Sequence, residues 1–380
     1  MFAVFLSVLV SSTQDGQNDY IINIAVSFST GHIQIHGKNY WEKRSLDQSM
    51  SCDTSFAARA RSLPHVRNLV PRFETVCLIA HGALTRVCPV IGIDPLRESA
   101  MTGLGNRIIR GASMSDWHRG ALVAEGLARL LGVDVGDSVV VFGQGYQGVT
   151  AAEMIRIAGI ARFPIPDLNN AMFYLPLAEA QTLFSAPTRL TAIAILLDSD
   201  DAVDAAAAEL RAIAPDDLEV MSWREMMPEL VQAVAANNGG TVIMLLILYV
   251  VIGFGIFGTV VMMTSERKRE FGMNIALGVK RWRLMYVTVI ESLLVSMIGA
   301  LVGIVISIPF VAYLHQFPIQ LGGDYAKAML AYGMEPIIPF SSDPIVFEAQ
   351  ALIVFGLGMI SALYPVIVIR RLLPVPAMRG

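Results

Sequence analysis

The chain is short of charge and of cysteine. Only 16% of its 380 residues are Asp, Glu, Lys or Arg, and three are Cys, where an ordinary soluble domain carries about 25% charge. With 54% hydrophobic residues and a mean hydropathy of +0.56, part of the chain must lie out of water. No paired-cysteine zinc motif is present. The only Gly-Lys, Gly37–Lys38, is followed by Asn39, so there is no GxxxxGK[ST] phosphate loop and no nucleotide hydrolysis by that route. HExxH and GxSxG are missing as well, and no Ser, His and Asp fall at triad spacing. An enzyme is not expected, nor a cofactor or metal in this chain. No basic block is paired with an aromatic platform, which argues against nucleic acid as a partner.

The charges that are present fall in blocks. Residues 12–240 hold 18 basic and 25 acidic residues, although the whole chain is only −4. Residues 264–286 are basic through Arg267, Lys268, Arg269, Lys280, Arg281 and Arg283, and Arg370, Arg371 and Arg379 follow near the end. Between these blocks Thr241–Met263 runs 23 residues without a charge, and about 20 apolar residues suffice for a membrane helix. Further spans are expected at 285–314, interrupted only by Glu291, and at 349–369. Met1–Val10 is apolar but half a span long. It reads as the outer half of a first helix, residues 1–11, whose beginning is missing; the alternative is a signal peptide cleaved near Ser11–Ser12. Basic loops stay inside, so 264–286 and the tail are cytoplasmic, while 12–240 and 315–348 lie outside. The expected fold is membrane α-helical, with four transmembrane helices, the first truncated, and a large α+β extracytoplasmic domain between helices one and two.

In the outer region GHIQIHG has the period of a half-buried strand, with Ile33 and Ile35 on one face and His32, Gln34 and His36 on a polar one. No acid or thiol stands at ligand spacing to turn the two histidines into a metal site. ETVCLIAHGALTRVCPVIGIDP reads as a hairpin turning at Gly82–Ala83. Cys77 and Cys88 then face each other, either as a disulfide or as two small buried residues, with Cys52 left over. GALVAEGLARLLGVDVGDSVVVFG reads as helix, turn and strand, pairing across GQGYQGVTAA with EMIRIAGIA. Gly143, Gly145 and Gly148 lead into a strand and not a helix, so a mobile hairpin tip is expected and a phosphate cradle is not. The acids of 198–204 read as a solvated helix start in preference to a calcium loop. SWREMMPELVQAVAANN forms a helical stalk running through Gly239–Gly240 into the second membrane helix.

The loop TSERKREFGMNIALGVKRWRLMYVTVIES is the most informative stretch. After Gly272, MNIALGV offers a short apolar helix closed by Gly278 and followed by cations. It is suited to a groove on a soluble partner; the alternative is a basic loop that only sets topology. Glu291 stands about 10 Å into its helix, as a proton relay or as a structural partner of the basic cluster. Gly299 and Gly303 form GxxxG, which serves either a permease dimer or packing within one chain.

This loop resembles the hallmark of the FtsX/MacB-type permeases: E-R-x-R-E-I-G, then A-L-G, a basic run and a Glu opening the next helix, with Phe271 and Val279 as conservative departures. GHIQIHG, IGIDP at 91–95, LARLLGVDVGD at 127–137, FYLPLAEAQTLF at 173–184 and the ending RRLLPVPAMR extend the resemblance over nearly the whole chain. They look most like the lipoprotein-releasing LolC/LolE type. The resemblance implies a type VII ABC transporter permease in the bacterial inner membrane, with a periplasmic MacB-like domain at 12–240 and an FtsX-like domain at 241–380. A separate cytoplasmic ATPase dimer, itself binding ATP and Mg, would grip a coupling helix at about 269–279. The matching positions are Glu266, Arg267, Arg269, Glu270, Phe271, Gly272, Ala276, Leu277 and Gly278. A second permease subunit, identical or not, a membrane lipoprotein substrate and a periplasmic chaperone are the implied partners, although the Gly-rich tip at 143–152 lacks the Pro of a chaperone hook. Extracting acyl chains costs ~0.8 kcal/mol per CH₂, hence the need for ATP. The rival readings are a MacB-like exporter, an FtsX-like regulator of cell-wall hydrolases, and a membrane sensor or adhesin.

Overall fold

The structure is a computed structural model that describes residues 1–51, 54–163, 165–331 and 336–372. Cys52, Arg379 and most of the RRLLPVPAMR ending lie outside the described residues. The chain divides into two units: an outer unit, chiefly residues 21–231, and a helical unit of residues 1–20, 232–320 and the chain from 337 onward.

The outer unit is built on one ten-stranded sheet: β1 Ile33–Gly37, β2 Val66–His81, β3 Leu84–Ile93, β4 Ile108–Gly111, β5 Ala121–Ala124, β6 Ser138–Gln144, β7 Thr150–Ala161, β8 Phe173–Pro176, β9 Ala192–Leu197 and β10 Leu218–Ser222. The order is β10–β1–β9–β2–β3–β8–β5–β7–β4, with β6 bridging β2 and β7. All pairs are antiparallel except β3–β8 and β5–β7. Strand β2 has 16 residues, about 53 Å of extended chain, and belongs to two cores. Leu69 packs with β1, β9, Trp223 and the helix Val203–Ile213. Phe73, Cys77 and Ile79 pack with β3, β5 to β8 and Trp117.

Local chemistry explains the connections. Gly82 turns the β2–β3 hairpin at φ +57°, a conformation glycine adopts without strain. Asp94 accepts from the amides of Leu96 and Arg97, capping the helix Pro95–Thr102. The segment 120–143 differs from the expected helix, turn and strand at its start, where Ala121–Ala124 is strand β5 and the helix begins only at Glu125; the turn and β6 follow as expected, and β6 pairs with 150–161.

Two expectations are corrected, and at the cysteines one of the two readings left open is the one seen. Strand β1 is buried on both faces, so His32, Gln34 and His36 form no solvated face. It is a central strand between β9 and β10, where polar side chains need internal partners: the His32 ring accepts from the Leu197 amide at 3.1 Å, and the His36 ring bonds Gln34 Oε1 at 2.9 Å. The hairpin tip, expected to stand free, is docked. Tyr146 N–H donates to the Phe184 carbonyl and Gln147 N–H to Asp47 Oδ1, both at 2.8 Å, and Arg189 covers the Tyr146 ring. Cys77 and Cys88 oppose each other across β2 and β3 but are free thiols. Directly opposed strand positions suit the bond poorly, and burial in the core raises the two thiols to about 12 and about 11.

His36 has no exposed surface, its Nδ1 has no partner, and burial, with Arg44 adding to it, lowers its pKa to about 4. A neutral buried imidazole that titrates near 6.5 when unfolded stabilises above that pH, and the contribution is lost as pH falls toward 4. The outer unit is expected to lose on the order of 3 kcal/mol across that window. His36→Gln should flatten the pH dependence in proteolysis-based stability measurements; an unchanged slope would contradict the assignment.

In the helical unit and its connections are α1 Phe2–Ala25, α2 Pro228–Glu266, α3 Lys268–Ala276, α4 Arg281–Gln316, α5 Pro344–Ser361 and α6 Leu363–Arg371. Helix α1 runs beyond the expected end at residue 11, because Ser11, Ser12 and Asn18 find internal partners there. The helices also exceed the expected apolar spans 241–263, 285–314 and 349–369, since each continues through its polar flanks. Among the described residues, three stretches are long and apolar enough to cross a membrane: Pro228–Glu266, Arg281–Gln316 and Pro344–Arg371. Proline at its first position lets α2 start after Met227, and α2 passes Gly239–Gly240 without a break. Its apolar side chains, such as Val242 and Phe254, are largely exposed, as lipid contact requires.

Candidate functional site

The chain leaves α2 at Glu266, bends at Arg267 and re-enters helix at Lys268. The amides of Leu277, Gly278 and Val279 then bond the carbonyls of Met273, Ile275 and Asn274, and Gly278, at φ +92°, turns the chain out of the helix. Lys280 is extended, and α4 begins at Arg281.

Helix α3, slightly earlier than the expected 269–279, has two distinct sides. Phe271 and Gly272 are buried; Phe271 packs with Ile369 and Leu372, and Ile275, Leu284 and Met285 border that cluster. On the other side Arg269, Met273, Ala276, Leu277, Gly278, Val279 and Lys280 are exposed, Leu277 by 84%. An apolar residue so exposed, between cations, costs solvation unless something covers it.

Arg267 ties the bend to α4. Its Nη1 donates to both Glu291 carboxylate oxygens at 2.6 and 2.7 Å, and its Nε lies 3.5 Å from Glu270. The guanidinium also lies over the Phe271 ring at 5.8 Å. Glu291 therefore sits in an ion pair, bordering a cleft of about 320 Å³ with Thr264 and Thr288. Arg281 holds the other end of the loop, donating to the carbonyls of Arg370 and Leu372 at the end of α6. Glu266 is exposed.

Gly299 and Gly303 face α1. A Cβ on Gly303 would lie 2.7 Å from Val4 Cβ and 2.9 Å from the Met1 carbonyl oxygen, and one on Gly299 3.3 Å from the Met1 nitrogen. The GxxxG stripe thus serves close packing within the chain, in a cluster with Val8, Ala351 and Val354. Sequence reasoning missed two polar clasps between these helices. Tyr249 donates to Gln350 Oε1 and Gln350 Nε2 donates to Ser11, while Asn18 bonds Asn237 and Asn238. A glutamine inside the apolar run 349–369 was the available signal.

Residues 1–213, more than half of the chain, match the MacB-like periplasmic core domain, and residues 242–374 match the FtsX-like permease C-terminal domain. The chain belongs to the FtsX/MacB-type family of type VII ABC transporter permeases. It is a membrane permease with a MacB-like periplasmic domain. Among its relatives, the lipoprotein-releasing system transmembrane protein LolE of Haemophilus influenzae is 22% identical over 66% of this chain and 62% of its own length. LolC of Xylella fastidiosa is 22% identical over 85% of this chain and 80% of its own. The macrolide export ATP-binding/permease protein MacB of Rhodopseudomonas palustris is 24% identical over 83% of this chain and 50% of its own. The solved periplasmic region of MacB from Actinobacillus actinomycetemcomitans aligns with 55% of this chain and 94% of its own, at 12% identity and a TM-score of 0.38.

Proposed function

We propose that this permease is a subunit of an inner-membrane lipoprotein-releasing transporter, in which a separate cytoplasmic ATPase grips α3 and drives movement of the periplasmic domain. The observation that carries the coupling role is the outward side of α3 and its C-terminal cap, where Leu277 stands 84% exposed and Arg269 and Lys280 are exposed as well, while Phe271 anchors the opposite side. A loop that only set topology would need the cations and not the exposed leucine. The missing phosphate loop is consistent with an ATPase on another chain. For the cargo, the LolE and LolC relatives favour a lipoprotein. A second reading, export of a small molecule, is favoured by the MacB relative that matches along 83% of this chain.

Leu277→Asp is expected to cut co-purification of the ATPase at least tenfold while the permease still inserts, because it places a charge where an apolar contact is required. Undiminished binding would sink the coupling assignment. Depletion of the permease should make lipoproteins accumulate in the inner membrane. If none accumulate and macrolide susceptibility rises instead, the export reading replaces release.

A further inference from the structure

Two of the acids at 198–204 have a use that a solvated helix start does not explain. The turn Asp200–Ala202 leads into the helix Val203–Ile213, which packs on the core of β1 and β9 through Val203, Ala206, Ala207 and Leu210. Both ends of this stretch reach the same target, the single helical turn Trp223–Met226 between β10 and α2. At one end the Asp200 carboxylate accepts from Trp223 Nε1 at 2.7 Å and from Arg224 Nη2 at 2.6 Å, one oxygen to each donor. Asp204 stands 3.3 Å from Arg224 Nη1. At the other end Arg211 donates to both Glu225 oxygens, at 2.6 and 2.8 Å, and to the Val220 carbonyl. Glu225 in turn closes a capping box with Ser222.

What this turn carries is the start of the stalk. Trp223 is 3% exposed, and Met227, Leu230 and Val231 pack on the core it belongs to, as do Ile22 and Val26 where the chain arrives from α1. The Met227 amide bonds the Trp223 carbonyl, and the amides of Leu230 and Val231 bond Met227, so hydrogen bonds run from the clamped turn into α2. Met227 itself is outside helical conformation, at φ −125° and ψ 63°, and Pro228 has no N–H to add. The link would swivel if nothing held it. An indole has a single N–H to give, and Asp200 takes it, which fixes the orientation of the buried ring as well as its depth. Arg224 and Asp200 are 35% and 38% exposed, too open to water for their pairing to add much to folding stability. A carboxylate that bridges two consecutive residues does set the direction in which the next helix leaves.

We infer that Asp200 is a positioning residue of the stalk. By holding Trp223 and Arg224 together it makes residues 228–231 of α2 a rigid part of the outer unit, so that movement of α2 is passed to that unit and not spent in swivelling of the turn 223–227. Its consequence for transport rests on the proposed coupling role of α3; the rigidity does not.

The test uses the full chain and its co-purified ATPase in nanodiscs, with nitroxide amino acids incorporated at Ala208 and Glu229, both exposed. Electron–electron distance measurements should give one narrow distribution in the native chain, with and without ATP. Asp200→Ala should broaden it at least twofold while protease resistance of the outer unit stays unchanged. In the same preparations Asp200→Ala should keep ATPase binding and hydrolysis but lower lipoprotein release per ATP at least fivefold. Trp223→Phe and Arg224→Ala, each removing one of the two donors, should give smaller losses. Asp200→Asn, which can still accept from the indole, should recover part of the release that Ala loses. A broad distribution in the native chain overturns the proposal, as does an Asp200→Ala chain with native distribution or native release. Lost protease resistance with an unaltered distribution makes Asp200 a folding residue only, and overturns it too. A native complex that binds no ATPase and releases no lipoprotein refutes the coupling reading instead, and the distance distributions then decide the rigidity on their own.

Discussion

Glu98→Ala is expected to destabilise the outer unit by about 3–5 kcal/mol, the cost of stripping one partner from a buried ion pair. Arg72 and Glu98 are each 1% exposed, and the guanidinium donates to both carboxylate oxygens, at 3.0 and 2.6 Å. Without Glu98 the Arg72 charge loses its two close carboxylate bonds, and Glu74 stands farther off, at 3.8 Å. Arginine cannot escape by losing its proton, because its pKa lies above 12. The loss therefore appears as instability of β2 and the helix Pro95–Thr102, and not as a change of charge state. Replacing both residues by apolar ones, Arg72→Met with Glu98→Leu, should recover most of it, since burying two charges is itself expensive. Proteolysis of the full chain in nanodiscs under graded urea measures both variants. A single-variant cost below about 1 kcal/mol, the range of exposed pairs, would show that the pair is solvated in solution.

The same pair marks where the sequence stops being readable. The membrane stretches, the hairpin at Gly82 and the opposition of Cys77 to Cys88 follow from local pattern: charge-free length, period-two alternation and a turn residue. Arg72 and Glu98 have no such pattern. In sequence they look like any solvated charges, and only the packing of a helix on β2 buries them. His32 and His36 misled for the related reason that alternation of polarity reveals a face but not whether a second layer covers it. On α3 the sequence gives the short helix and its closing Gly278, while the division into an anchored side at Phe271 and an open side at Leu277 depends on Ile369 and Leu372, almost a hundred residues away. The GxxxG stripe left dimer and internal packing open because small residues permit close approach by any helix; the position of Val4 against Gly303 shows that packing within the chain makes use of it.

Arg267→Ala is expected to leave the ATPase bound yet lower ATP-driven cargo release at least tenfold. Both members of the Arg267–Glu291 pair are 40% exposed, so in water their contribution to stability would be small, in the range of 0–1 kcal/mol. Their importance is geometric. Arg267 is the residue between α2 and α3, and its two bonds to Glu291 fix the direction in which α3 leaves the bend relative to α4. On the proposed coupling role, an ATPase pushing on Leu277 would move α2 only if that bend transmits force and does not fold. Truncating the arginine leaves the exposed side of α3 intact but makes the bend compliant, which on the proposed coupling role would separate hydrolysis from work. Exchanging the charges, Arg267→Glu with Glu291→Arg, restores the pair but sets a carboxylate beside Glu270, so release should return only in part. Adding Glu270→Gln removes that repulsion and should return more. ATPase co-purification, hydrolysis rate and cargo release measured on the same preparations distinguish the outcomes: release unaffected by Arg267→Ala means the bend transmits nothing through this pair, and loss of ATPase binding means that Arg267 belongs to the docking surface instead.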